Sequence, residues 1–145
     1  MQILELIRAL TEAPGPAGYE SSAREVVEAL WRPYVDDITT DALGNLIGYQ
    51  RGNGAEGVPA RSVMAAAHMD EIGLIVTGID GEFLRIHSLG GIDRRVLLGL
   101  EVVVHGCRDL PGVIGSRPPH VLPASDRQKV LPWHELFVDT GLPAA

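Results

Sequence analysis

Residues 62–76 read SVMAAAHMDEIGLIV, and within them the chain changes from one kind of structure to another. Residues 61–68 are apolar without alternation, which is typical of a strand covered on both faces within an α/β sheet. After Glu71 the pattern becomes that of short strands separated by turns. The stretch therefore predicts a junction, with a buried strand before it and β structure after it.

The residues before this junction predict two helices and a hairpin. The first helix has an apolar face that recurs with helical spacing and ends at Pro14 and Gly15; its members are Ile3, Leu6, Ile7 and Leu10. Ser22 and Glu25 have the spacing of a capping box, which predicts the start of a second helix. The segments YVDDITT and NLIGYQR, joined by a turn, then predict a β-hairpin.

The residues after the junction predict an all-β module. IGLIVTGI and EFLRIHS are expected to form a hairpin about Asp80 and Gly81, followed by strands in LEVVVHG and PGVIGS. WHELFVDTG predicts a helical turn followed by a strand, and this spacing of strands favours a small β-barrel or sandwich. The fold class is therefore α/β with a β module attached, and residues 52–60 and 116–132 are expected to be loops.

Composition limits the class of protein. The chain has 145 residues, 46% of them hydrophobic, and a net charge of −7, so we expect a globular protein that does not bind nucleic acid. No apolar stretch approaches the roughly 20 residues that cross a bilayer, so no membrane contact is expected. Cys107 is the one cysteine, which excludes an internal disulfide, fits a reducing cytoplasm, and is interpreted as a small, partly buried residue.

His68 and Asp70 are the candidate site residues. They are two positions apart, so on a continuing strand they point the same way. An imidazole can bind a metal through one nitrogen while a carboxylate holds the other, which fixes the tautomer. The alternative is the polar end of a strand that meets water. Glu71 is interpreted as turned away from this face, and the other histidines as surface or loop residues.

Six segments, in order, resemble the cytosolic aminopeptidases of metallopeptidase family forty-two, a group that includes glutamyl and tetrahedral (TET) aminopeptidases and proteins once labelled endoglucanases. The segments span most of the chain, and they are APGPAGYE, DALGNLIG, AAHMDEIGLIV, SLGGID, GVIGSRPPH and ELFVDTG. The resemblance implies part of a mixed-sheet peptidase domain in residues 1–71. It implies a β-rich inserted dimerisation domain in 72–131 and a return segment in 132–145.

The resemblance also implies a site and a reaction. His68 would be one metal ligand of a pair of divalent ions, zinc or cobalt, and Asp70 the catalytic acidic partner that orients it. The metals would polarise the peptide bond at the N-terminus of a peptide substrate while a glutamate acts as general base. The remaining ligands of the family pattern fall beyond residue 145, so we expect these residues alone to be an inactive N-terminal portion that binds at most one ion weakly.

Two other functions compete with this hydrolase reading. A non-catalytic assembly or peptide-binding β module would associate through strand edges or apolar faces. A carbohydrate hydrolase would need a pair of carboxylates flanking a sugar, and no pair is singled out. The family resemblance favours the aminopeptidase, as a homo-oligomer in which dimers build a larger assembly.

Overall fold

The computed structural model describes residues 2–54, 61–121, 123 and 129–143. The chain divides into two compact units, Met1–Glu71 and Ile72–Ala145, called here the first and the second unit. Helices and a hairpin make up the first, and an antiparallel sheet makes up the second. The α/β class is confirmed. The assignment of residue ranges to a peptidase domain, an inserted domain and a return segment stays a prediction.

Two helices begin the first unit, α1 over Ile3–Glu12 and α2 over Ser21–Trp31. Both were expected, but the capping box at Ser22 is wrong, because the N-cap residue of α2 is Glu20, two positions before Ser22. The Glu20 side chain makes no bond to the helix and instead accepts from the backbone N–H of Gly18 at 2.6 Å. The turn before the helix therefore defines its start, and Ser22 lies within the first turn.

The predicted hairpin is confirmed as β1, Asp37–Thr40, paired antiparallel with β2, Leu46–Tyr49. Asp41 Oδ1 accepts from the backbone N–H groups of Leu43 and Asn45, each at 2.9 Å. Gly44 has a φ of +88°, a conformation that costs glycine little. These bonds fold the connection and set the register of the two strands.

The buried strand predicted over residues 61–68 is wrong for the described structure. These residues form no strand, and Val63 is 95% exposed. A strand buried on both faces needs paired neighbours, and in residues 2–54 and 61–71 the nearest pairing is a single parallel bridge between Pro16 and Glu71. The apolar run has the composition of a central strand, but no strand in the described ranges pairs with it.

The second unit is one five-stranded antiparallel sheet in the order β3-β4-β7-β6-β5. The strands are β3 Gly73–Asp80, β4 Phe83–Leu89, β5 Glu101–Val104, β6 Leu110–Ser116 and β7 Leu136–Asp139. All five were expected, as was the helical turn, a short 3-10 helix over Trp133–Glu135. Closure into a barrel is not confirmed, because β3 and β5 lie at opposite edges of the sheet and do not pair in the described residues.

The core of the second unit lies against the middle of this sheet. Its buried members are aliphatic: Ile86, Leu97, Ile114, Leu136 and Val138. Two of them belong to β7, which the strand order places between β4 and β6. Residues 136–139 are therefore structurally part of the second unit.

Two further expectations are only partly covered by the structure. Residues 55–60 of the first predicted loop, and residues 122 and 124–128 of the second, lie outside the described residues. Within the described ranges, no helix has the length and apolarity needed to span a bilayer.

Candidate functional site

His68 and Asp70 are in contact. His68 Nδ1 lies 2.8 Å from the backbone carbonyl oxygen of Asp70 and 3.2 Å from its carboxylate Oδ1. A carbonyl oxygen can only accept, so Nδ1 must carry the proton, and in the neutral ring Nε2 then has the free lone pair. Asp70 thus holds the tautomer that would bind a metal or accept a proton through Nε2.

The residues present fit one ligand of a divalent metal. The imidazole side chain is 85% exposed, and its Nδ1 is already bonded, as is usual for a histidine that ligates through the other nitrogen. Among the described residues no group of three or more His, Cys, Asp or Glu side chains could hold an ion. Because a catalytic zinc site takes three protein ligands, His68 would need ligands from elsewhere.

Glu71 is bonded to Gly15. Glu71 N–H donates to the Gly15 carbonyl at 2.8 Å, and Gly15 N–H donates to Glu71 Oε1 at 3.0 Å. We call this pair of bonds the Gly15–Glu71 clasp. Sequence reasoning missed it because it joins positions 56 residues apart, and the only local signal was a glycine between two prolines.

His87 and His105, both in the second unit, make other contacts. His105 Nδ1 bonds Asp109 Oδ1 at 2.8 Å in the connection between β5 and β6. His87 stacks on Trp133 with ring centroids 5.2 Å apart. Cys107 is exposed, so the expectation of partial burial is wrong, because the residue lies in the turn between two strands and not in either strand.

Two acidic groups of the second unit have their pKa values lowered by arginines. Arg117 donates to Glu135 through Nε at 2.6 Å and also through Nη2, and these bonds lower the pKa of the Glu135 carboxyl. Arg95 does the same to Asp93, lowering the pKa of that carboxyl to about 2. Arg117 and Glu135 join the segment just after β6 to the segment just before β7. Arg95 and Asp93, in contrast, lie two residues apart in one turn.

A groove of about 880 Å³ lies on the second unit. Strands β5 and β6 line most of it, together with residues 139–141. The surface of its wall is mainly apolar, with Glu101, Asp109 and Asp139 among its lining residues. Strand β5 borders it and is an edge strand in the described sheet, so a second chain could add both apolar contacts and backbone hydrogen bonds there.

Comparison with known proteins identifies the class as a peptidase. Residues 44–145 match the family model described as M42 glutamyl aminopeptidase. The chain therefore belongs to the M42 aminopeptidase family, as the six ordered segments implied.

Individual relatives agree with this assignment. The lysyl aminopeptidase of Pyrococcus furiosus is 34% identical over 94% of this chain and 39% of its own length. An aminopeptidase from Desulfurococcus kamchatkensis matches with a TM-score of 0.85 and 40% identity, over 97% of this chain and 37% of that one. The Pyrococcus horikoshii TET1 peptidase, which can assemble into a tetrahedron or a large octahedral shell, matches with a TM-score of 0.79 and 40% identity, over 99% and 42%. The chain spans about two fifths of the length of these relatives.

Proposed function

We propose that this chain is the N-terminal portion of a metal-dependent aminopeptidase that removes N-terminal residues from peptides. Residues 1–71 would form part of the peptidase domain, 72–131 the inserted dimerisation domain, and 132–145 the return toward the peptidase domain. The observation that carries the proposal is the contact of His68 Nδ1 with Asp70, which leaves Nε2 free to bind a metal.

His68 would hold one of two divalent ions, zinc or cobalt, and Asp70 would keep its ring in the ligating tautomer and orientation. The bound metals would act as Lewis acids toward the scissile carbonyl and the attacking water. An acceptor on Nδ1 also raises the basicity of Nε2, which strengthens a metal bond. With one candidate ligand in the described residues, the chain alone should hold at most one ion weakly and be inactive.

The substrate class is peptides with a free N-terminus, and the preferred side chain is left open. The matched family is named for glutamyl and one relative for lysyl residues. These side chains have opposite charges, so membership in the family does not by itself select either one.

We also propose that the protein is a cytoplasmic homo-oligomer. A relative of 40% identity assembles into closed shells, and the second unit offers an edge strand beside an apolar groove. The same surface supports the second candidate function, a non-catalytic assembly or peptide-binding module. That function would require oligomers or peptide complexes that form equally well without metal.

The experiment compares this chain with the whole-length protein encoded by its gene, each loaded with zinc or cobalt. We expect the whole-length protein to release the chromophore from a panel of aminoacyl 4-nitroanilides, and the 145-residue chain to release none. His68→Ala should abolish release, whereas His105→Ala, which removes another histidine held by an aspartate, should retain it. A folded, metal-loaded whole-length protein that leaves every substrate intact would overturn the proposal.

A further inference from the structure

The Gly15–Glu71 clasp uses both polar groups of the Gly15 backbone. Gly15 lies between Pro14 and Pro16, which have no backbone N–H. Of these three residues only Gly15 can donate a backbone hydrogen bond, and its N–H is bonded to the Glu71 carboxylate. The Glu71 carboxylate therefore accepts from the one backbone donor in the Pro14–Gly15–Pro16 stretch.

Gly15 is closely packed against helix α2. A β-carbon added at Gly15 would lie 2.8 Å from the Cβ of Ala23, and Ala23 is a buried residue of α2. The same added carbon would lie 3.7 Å from the carbonyl oxygen of Met69. Gly15 thus fits between helix α2 and the segment that carries His68, with no room for a side chain on the helix side.

The peptide group between Asp70 and Glu71 links the clasp to His68. The carbonyl of Asp70 and the N–H of Glu71 belong to the same planar unit. The N–H end donates to Gly15 at 2.8 Å, and the carbonyl end accepts from His68 Nδ1 at 2.8 Å. A plane bonded at both ends cannot rotate without breaking one of these bonds, so the position of the acceptor for His68 depends on the clasp.

We propose that Glu71 is a positioning residue for His68. By clasping Gly15 it holds the Asp70–Glu71 peptide plane, and that plane keeps the His68 proton on Nδ1. The inference rests on the proposed function for its relevance to metal binding, but the hydrogen bonds on which it depends are all between residues of this chain.

The test measures the tautomer of His68 by long-range ¹H–¹⁵N NMR of the metal-free chain, at a pH where the imidazole is neutral. Glu71→Ala removes the carboxylate acceptor, and we expect the ratio of Nδ1–H to Nε2–H to fall about fivefold, the factor equivalent to one ordinary hydrogen bond. Glu71→Gln keeps an oxygen acceptor for Gly15 N–H and should retain the wild-type ratio. A role confined to stability would change the unfolding midpoint and leave this ratio unmoved.

Glu20→Ala is the matched control. Glu20 also accepts from a glycine N–H, that of Gly18, in the same segment between α1 and α2, and it has no part in the clasp. An unchanged tautomer ratio in Glu71→Ala, or an equal fall in Glu20→Ala, would overturn the proposal.

A measurement on the wild-type chain covers the case in which Glu71→Ala fails to fold. The amides of Gly15 and Glu71 should exchange with solvent hydrogen more slowly than that of Ala66, and to a similar degree. Exchange of the Glu71 amide as fast as that of Ala66 overturns the proposal. Failure of the whole-length protein to cleave peptides while His68 keeps its Nδ1 proton would instead overturn the proposed function alone.

Discussion

Gly15 and Ala23 are so close that a β-carbon on Gly15 would lie 2.8 Å from the Cβ of Ala23. Such carbons do not approach this closely, and the contact joins the connector after α1 to the buried side of α2. Glycine is required here by proximity, which is a different reason from the positive φ that explains Gly44.

Gly15→Ala should therefore destabilise the first unit. Overpacking of this kind lowers the free energy of unfolding by roughly 1–3 kcal/mol. Adding Ala23→Gly to the Gly15→Ala chain should restore part of that stability, because it removes the opposing β-carbon. The recovery is partial because glycine within a helix costs about 1 kcal/mol. Hydrogen exchange measured by mass spectrometry would follow the first unit, with the second unit as internal control. A Gly15→Ala chain as well protected as wild type would contradict the prediction.

Asp70→Ala should weaken metal binding by the whole-length protein. The substitution removes the carboxylate oxygen that lies 3.2 Å from His68 Nδ1 and leaves the backbone carbonyl in place. We therefore expect a loss of metal affinity of about 10-fold, the lower end of the usual effect of such a partner. Titration calorimetry with zinc would measure the change. Asp109→Ala is the control, since Asp109 also contacts a histidine Nδ1, at 2.8 Å. Equal effects of the two substitutions would remove Asp70 from the site.

The second unit should become less stable in acid, because protonation of Glu135 breaks its ion pair with Arg117. Its hydrogen bonds lower the pKa of Glu135 from the ordinary value of 4.5. A carboxyl with a lowered folded-state pKa stabilises fully above its unfolded-state pKa, and that stabilisation is lost as pH falls through the folded-state value. The midpoint of thermal unfolding should thus decline below about pH 4.5, and the decline should be smaller in Glu135→Gln. Identical pH profiles for the two chains would show that the pair contributes nothing.

Leu136→Ala should be among the most damaging single substitutions in the second unit. Leu136 is 0% exposed, and truncation of a fully buried leucine costs about 2–5 kcal/mol, depending on how far the cavity closes. Urea unfolding would measure the loss of free energy. Leu98→Ala, at a position that is 49% exposed, should cost much less. Similar losses at both positions would mean that β7 is not at the centre of the core.

Val103→Lys should weaken self-association. Val103 is 59% exposed, lies on the edge strand β5 and lines the groove. A lysine there would place a charge against any second chain that pairs with the edge. Sedimentation velocity would report the oligomer size, with Ile79→Lys on the opposite edge strand β3 as the control. An unchanged oligomer in Val103→Lys would exclude this edge from the interface.

Local patterns accounted for the elements that depend on neighbouring residues. The spacing of Ile3 and Ile7 predicted a helix, and the alternation around Gly81 predicted the hairpin of β3 and β4, which are paired from Gly73 with Leu89 to Asp80 with Phe83. Such features can be predicted from the sequence because only a few covalent bonds separate the interacting groups, which keeps them close whatever the rest of the chain does. His68 and Asp70 do contact each other, but not as neighbours on one face of a strand, since residues 61–70 form no strand and the shortest contact is to the Asp70 backbone carbonyl.

Contacts between distant segments could not be predicted from local patterns. The pattern of residues 61–68 is that of a buried strand, yet those residues are exposed, because a strand forms only where others are present to pair with it. Likewise, the position of β7 between β4 and β6, and the clasp of Gly15 by Glu71, depend on which remote segments meet. Periodicity records the burial of a side chain but not the identity of the neighbour that buries it, so the partners emerged only from the folded chain.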